Sequence, residues 1–295
     1  MVAVSAHTHD DVDWASRLPG MLLADALEED ALAGVARRLV DRLGGEPTVL
    51  DLGSGSGGMS AALAQALAER DGGTVVLVDA VPELLDAAGA AARASVGESA
   101  AVRVESVLAD AADPGLRDLV PEADLIWASA VVHHLPDQQR AIDDLARILR
   151  PGGTLAVAEG GLGVKTLPWD LGVGAPGLEP RLHAARDLWF RDLRASMPGA
   201  VQMPYGWNHA LGLAGLADVG AFTYLVDHPA PAGDGVRHDV LERLGWFRST
   251  VGDRLDETDR ATFDALLDPA GEYHLGRRDD LFLLSARTVH CGRSR

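Results

Sequence analysis

The chain reads as an α/β protein built on a doubly wound, seven-stranded, mostly parallel sheet. Three observations carry this reading. Short apolar, β-branched runs alternate with helical patterns from Thr48 to Glu159, the rhythm of βαβ units with a sheet covered on both faces. The first run, Val49–Leu52, enters a glycine-rich turn, Gly53-Ser54-Gly55-Ser56-Gly57-Gly58. A second punctuation, Pro151-Gly152-Gly153, precedes the fifth run.

Taken in order, residues 1–47 form an N-terminal helical cap. Apolar residues recur at helical spacing through Leu27, Leu32, Val35, Leu39 and Leu43. Pro19-Gly20 is expected to break this region into two helices, and Gly44-Gly45 to end it. The core follows over 48–159. Its strands are Val49–Leu52, Thr74–Asp79, Val102–Val107, Ala123–Ser129 and Thr154–Glu159, with helices at Met59–Glu69, from Pro82, and at Asp137–Leu149. Pro82 sits in a first helical turn, where a missing N–H costs nothing. Residues 160–215 leave the rhythm. They are rich in Gly, Pro and aromatics and too long for a plain connection, so they read as a lid insertion after the fifth strand. Residues 216–295 complete the core with strands Val219–Val226 and Asp280–Val289 and helices Val236–Val251 and Thr258–Leu267.

Composition narrows the function. With 295 residues, 47% hydrophobic and 24% charged, the chain can bury a substantial core. A formal net charge of −18 repels phosphate backbones and anionic headgroups, so nucleic acid and membranes are not expected partners. No apolar run approaches the roughly 20 residues of a membrane span. The stretch Met1–Trp14, with His7, His9, Asp10 and Asp11, lacks the basic start and apolar run of a secretory signal, and a cytoplasmic protein is expected. Cys291 is the only cysteine, which excludes an internal disulfide and a Cys-based zinc site. No metal is expected. The N-terminal helices are a candidate homodimer surface.

Gly53, Gly55 and Gly58 fit G-x-G-x-x-G, a turn that lets backbone lie against a nucleoside ligand but does not choose the ligand. Asp51 bears on the choice. A carboxylate in the strand would repel a dinucleotide's pyrophosphate, whereas S-adenosylmethionine (SAM) carries a sulfonium and an ammonium that it would favour. Asp79 ends the second strand, where a carboxylate can accept both ribose hydroxyls of any nucleoside cofactor.

Further segments then resemble, in order and spacing, the motifs of the class I SAM-dependent methyltransferases, over roughly residues 20–165 and again over the closing strands. They are Val49–Gly58, Val75–Asp79, Val107 to Asp110-Ala111, Asp124–Leu135 (DLIWASAVVHHL) and Leu149–Gly153. The resemblance implies a Rossmann-like fold with SAM as cofactor. It implies that Gly53, Ser54 and Gly55 line the methionine and ribose, that Asp79 with Ala80 takes the ribose, and that Asp110 with Ala111 takes the adenine. Ser129 would offer backbone near the ammonium group. Trp14 is a further candidate, folded over the cofactor.

Methyl transfer from a sulfonium is an in-line displacement, so the protein positions the nucleophile, excludes water, and needs a base only where the nucleophile holds a proton. His133 aligns with the catalytic histidine of plant small-molecule O-methyltransferases and is the candidate base. His134 follows it. Glu159, ending the fifth strand, is a candidate to orient a cation or hydroxyl. The Asn/Asp-Pro-Pro-aromatic pattern of amino-methylating enzymes on DNA and protein is absent after the fourth strand, which favours a small-molecule acceptor. Trp169, Trp189, Tyr205, Trp207 and His209 are candidates for its pocket, because aromatic faces suit a ring-bearing substrate. Trp127 reads as core. Leu275–Asp280 resembles actinobacterial methyltransferases of specialised metabolism, so a natural product methylated on O, N or C is expected. Two other readings share the glycine turn: an NAD-dependent oxidoreductase, against which Asp51 and Pro151-Gly152-Gly153 count, and a non-catalytic SAM-binding protein.

Overall fold

The computed structural model describes residues 13–97 and 101–295; His7, His9, Asp10 and Asp11 lie outside them. Among the described residues a seven-stranded sheet forms in the order β3-β2-β1-β4-β5-β7-β6. The strands are β1 (Thr48–Leu52), β2 (Gly73–Asp79), β3 (Val102–Leu108), β4 (Ala123–Ser129), β5 (Leu149–Lys165), β6 (Ala217–His228) and β7 (Leu283–Arg293). The pairs β1–β2, β2–β3, β1–β4 and β4–β5 are parallel. The sheet is Rossmann-like and mostly parallel, as the alternation of runs predicts.

Strand periodicity assigns each side chain to a face. Val49, Val75, Leu77, Leu125, Trp127 and Ala156 point into one core, shared with α1 (Trp14–Val40), α2 (Gly58–Ala68) and α3 (Pro82–Val96). Leu50, Leu52, Val76, Val78, Ile126, Leu155 and Val157 point into the other. That face is covered by α4 (Leu116–Leu119), α5 (Gln138–Ala146) and part of the chain after β5. Trp127 is fully buried, as its place in a central strand requires.

Three expectations are corrected. Pro19 does not divide the N-terminal region: α1 runs through it unbroken, capped by Asp13, whose carboxylate accepts the Ser16 N–H at 3.1 Å. Pro19 stands in the second helical turn and removes a single backbone bond near the helix start. Leu32, Val35 and Leu39 bury the later turns and hold the helix together. The fifth strand is longer than Thr154–Glu159, and Pro151-Gly152-Gly153 lies inside it. A register irregularity between Ala123 and Leu125 absorbs the bend, with Gly152 at φ 82°. The helix before it ends at Ala146 rather than Leu149, with Arg147 as its cap.

Contacts divide the chain into two compact units. The first holds residues up to 160 with 197–224 and 287–295; the second holds 161–196 and 225–286. The stretch 160–215 is therefore shared. Helix α6 (Leu178–Ser196) belongs to the second unit with α8 (Asp234–Val251) and α9 (Glu257–Leu267), while α7 (Trp207–Leu213) buries Ala210 and Leu211 in the first. Within the second unit Arg181 of α6 holds both carboxylate oxygens of Asp259 on α9, each at 2.7 Å. Such a fork is a strong, oriented pair. Among the described residues no helix is long and apolar enough to cross a membrane.

Candidate functional site

The strand order reverses between β1 and β4. The chain runs outward through β2 and β3, then returns to the other side of β1. In open α/β sheets this is where ligands sit, outside the carboxyl ends of the strands. Two turns meet there, residues 53–57 after β1 and residues 130–134 after β4.

The first turn is held by the end of β2. The N–H groups of Gly53 and Ser54 donate to the Val78 carbonyl at 2.7 and 3.1 Å. The Asp79 carboxylate accepts the Gly55 N–H at 2.9 Å with one oxygen and the Val81 N–H at 3.0 Å with the other. Gly53 and Gly55 both have positive φ, 67° and 55°. A side chain on Gly53 would also strike the Val131 side chain of the second turn. Burial pushes the Asp79 carboxyl above its usual range, against backbone hydrogen bonds that lower it. Ala80 beyond it is exposed. Asp110 bonds locally, its carboxylate accepting the Ala112 N–H at 2.7 Å, with Ala111 half-buried between them.

Asp51 lies between Leu50 and Leu52, so the strand period sends it to the face of α2. It is 2% exposed and accepts the Ser60 hydroxyl at 2.5 Å. Burial raises its carboxyl to about 7, opposed by the Ser60 bond and reinforced by the nearby Asp79 and Asp25 charges. Ser54 Oγ is buried and has no hydrogen-bond partner among the described residues.

Gly57 caps α2 at φ 99°, and a Cβ there would lie 2.5 Å from the Ala88 backbone of α3. Gly57→Ala is therefore expected to destabilise the fold by roughly 2–4 kcal/mol. Urea unfolding checks this, and an unchanged midpoint would contradict the packing described.

The second turn is built on Glu159 at the end of the parallel part of β5. Its side chain is 3% exposed. One oxygen accepts three successive backbone N–H groups, from Val131, Val132 and His133, at 3.1, 2.9 and 3.3 Å. The other lies 2.6 Å from His133 Nδ1. Glu159 is thus an internal anchor for His133, which sequence reasoning placed at the mouth without seeing its partner. Ala130, just before, holds φ 54°, a conformation L-residues rarely adopt and which persists when surroundings over-determine it. The His133 and His134 rings lie 3.8 Å apart between centroids. Ser129 closes β4 opposite Ala158.

The aromatic candidates separate. In the first unit the Tyr205 hydroxyl donates to Gln139 at 3.1 Å, and its ring meets His209 edge-on at 5.1 Å. Trp207 packs on the apolar core beneath. In the second unit Trp189 contacts Phe190 and meets Trp246 edge-on at 5.9 Å. Trp169, also there, is 69% exposed with its ring over Gly177. On α1, the Arg17 guanidinium lies 5.7 Å from the Trp14 ring centroid. Sequence reasoning missed Asp25. Its carboxylate accepts the Ser56 hydroxyl at 2.5 Å and the Gly58 N–H at 3.0 Å. No local pattern flags it, because its partners lie more than a helix away in sequence.

Residues 50–157 match the protein family described as a methyltransferase domain. The chain is 35% identical over 112 residues to an arsenite methyltransferase of Halobacterium salinarum, covering 38% of this chain and 27% of that protein. It is 37% identical over 132 residues to a trans-aconitate 2-methyltransferase of an Azoarcus species, covering 43% and 46%. The matches thus span less than half the length of these relatives. Among solved structures, phosphoethanolamine N-methyltransferase 2 of Haemonchus contortus, in complex with S-adenosyl-L-methionine, is similar at a TM-score of 0.49 and 16% identity, over 97% of this chain and 60% of that one.

Proposed function

We propose that this chain, which carries a class I SAM-dependent methyltransferase domain, transfers the methyl group of SAM to a small-molecule acceptor, with His133 as base. The observation that carries the proposal is the pair of turns at the strand-order reversal, one clamped by Asp79 and the other by Glu159.

The residues present suit the cofactor. Ser54 Oγ is a buried polar group without a partner among the described residues, an arrangement that costs free energy unless a ligand satisfies it. The Asp79 carboxylate uses one site on each oxygen for backbone N–H groups, which leaves acceptor capacity for two ribose hydroxyls. Gly53 and Gly55 present bare backbone to the methionine part. Asp110 with Ala111 would hold the adenine, Ala80 would border the ribose, and the Ser129 backbone would face the ammonium group. Asp51, behind the turn, would act through its charge rather than by contact, since it is buried against Ser60. SAM when bound supplies an electrophilic methyl on a sulfonium.

Glu159 determines what His133 can do. With Nδ1–H donated to the carboxylate, the neutral ring keeps its lone pair on Nε2, the tautomer that accepts a proton there. The carboxylate also offsets the imidazolium charge that follows, the role a buried acid plays beside a catalytic histidine. His133 would remove the proton of the acceptor atom that takes the methyl, the electron pair of the methyl–sulfur bond passing to sulfur as that bond breaks.

For the acceptor we favour an aromatic or polycyclic natural product methylated on O, N or C. Tyr205, His209 and His134 of the first unit support this reading, with Trp207 packed beneath them, since flat rings suit a ring-bearing ligand. We expect a cytoplasmic protein acting without nucleic acid or membrane.

The test is calorimetry with SAM, followed by a natural-product library screened for gain of one methyl group. Asp79→Ala is expected to weaken SAM binding about 100-fold, since two charge-assisted hydrogen bonds are lost. No binding of SAM by the unmodified protein would overturn the proposal. Binding without methyl transfer across the library would favour a non-catalytic SAM-binding protein.

A further inference from the structure

Gly58 is read in the sequence only as the third glycine of a G-x-G-x-x-G turn that lets backbone lie against a ligand. The structure gives it another neighbour. A Cβ on Gly58 would lie 2.5 Å from the Asp25 carboxylate carbon and oxygen, so glycine at this position admits α1. Asp25 then does for α2 what α2's own cap residue, Gly57, cannot. It supplies a carboxylate to the first N–H of the helix and to the Ser56 hydroxyl. A side-chain acceptor at a helix start satisfies an otherwise orphaned donor, and an anion there also meets the helix dipole. Here the cap comes from a different helix.

The contacts continue along one face of α1. One turn before Asp25, Met21 Cε lies 3.1 Å from where a Cβ of Gly55 would stand. One turn after it, Glu28 accepts from Arg287 of β7 at 2.8 Å, in a pair whose carboxylate is nearly buried. Met21, Asp25 and Glu28 follow the i, i+4, i+7 spacing of a single helical stripe. That stripe ties the glycine turn to the far part of the sheet.

We propose that Asp25 is a positioning residue of the methyl-donor site, setting the 53–58 turn from outside so that seating of α1 and binding of the donor are coupled. This rests on the donor reading above, because the turn Asp25 holds is the one assigned to SAM. Asp25 touches Ser56 and Gly58 and acts through the turn.

The experiment compares Asp25→Ala, Asp25→Asn and Ser56→Ala in the full chain. SAM affinity is measured by calorimetry, and backbone amide exchange over residues 53–58 is measured without ligand. Asp25→Ala is expected to weaken SAM binding about tenfold, the scale of a lost helix cap. It is also expected to speed amide exchange at Gly58. Where an acceptor is in hand, KM for SAM rises and kcat at saturating SAM is kept. Asp25→Asn keeps a side-chain oxygen that can accept both the Gly58 N–H and the Ser56 hydroxyl, as a single carboxylate oxygen does in the native chain, and is expected to restore affinity to within about threefold. Ser56→Ala removes one of the two partners and keeps the proposal testable if Asp25→Ala fails to fold; an intermediate loss is expected. Wild-type affinity in Asp25→Ala, a fall in kcat at unchanged KM, or no recovery in Asp25→Asn would overturn it. Failure of the unmodified protein to bind SAM would overturn the donor reading instead, and the two results are distinct.

Discussion

His133→Ala is expected to lower turnover about 10²–10⁴-fold, the usual contribution of a positioned base, while SAM affinity stays at the wild-type value. Glu159→Gln is the sharper variant. A glutamine can still accept the backbone N–H groups of 131–133 through its oxygen, so the turn is kept. Its amide then faces His133 Nδ1, which must accept rather than donate, and the proton moves to Nε2. The ring is held in place in the wrong tautomer. Turnover is expected to fall by a similar factor with SAM binding intact. Glu159→Ala differs again. It leaves up to three buried N–H groups without their acceptor, at about 1–3 kcal/mol for each that water cannot reach, so loss of thermal stability accompanies loss of activity. Steady-state kinetics with an identified acceptor and calorimetry with SAM read all three. Full turnover in both His133→Ala and Glu159→Gln would remove the base from the mechanism and leave Glu159 a structural anchor.

Asp51→Asn is expected to change how stability depends on pH. Burial holds the Asp51 carboxyl at about 7 in the folded chain, against an ordinary 3.8. A group whose folded value is raised contributes stability that is complete below its unfolded value and lost as pH rises through the folded one. Keeping Asp51 protonated in the fold is thus a cost that grows between about pH 4 and pH 7, where the unfolded chain has already released the proton. Relative to Asp51→Asn, wild-type stability is expected to fall across this window by up to about 4 kcal/mol, at about 1.4 kcal/mol per pH unit. Asp25 and Asp79 are raised in the same direction by their own burial, and they steepen the profile in both proteins. A cationic donor beside the turn favours the ionised form, so SAM affinity is expected to rise with pH through 7 in the wild type and much less in the variant. Urea unfolding at several pH values checks the first statement, and a stability difference flat from pH 4 to 8 would refute it. Calorimetry across the same range checks the second.

The strands show how far local pattern reaches. Ala123–Ser129 matches β4 at both ends, and Thr74–Asp79 lies within one residue of β2, because buried parallel strands need continuous apolar runs and little else in the chain does. Helix starts with a local signal were equally legible, as at Pro82. The stretch 160–215 was not. Its Gly, Pro and aromatic content says only that it is irregular. Whether a segment there joins one unit or the other depends on which apolar surfaces meet: Ala210 and Leu211 bury in the first unit's core, while α6 pairs with α9 through Arg181 and Asp259.

Among the candidate site residues, Gly53, Gly55 and Asp79 were named from spacing, because a tight turn after a strand and a carboxylate at the next strand end use few residue types, whereas Asp110 and His133 were named from the resemblance to methyltransferase motifs. Asp51 was named for its charge, and only the fold revealed that the charge is buried. Asp25 and Glu159 acquire their roles from contacts made across 33 and 28 residues of chain at the widest.

By itself, then, the sequence determined the parallel sheet and the switch-point turn, since each follows from the backbone conformations and burial that short stretches can sustain, while the type of cofactor came from the charge of Asp51 and the resemblance of the motifs. The tertiary structure alone decided which carboxylate holds which turn. Hydrogen-bond partners across the fold depend on which faces of α1, β1 and β5 come together, and no local pattern encodes that meeting.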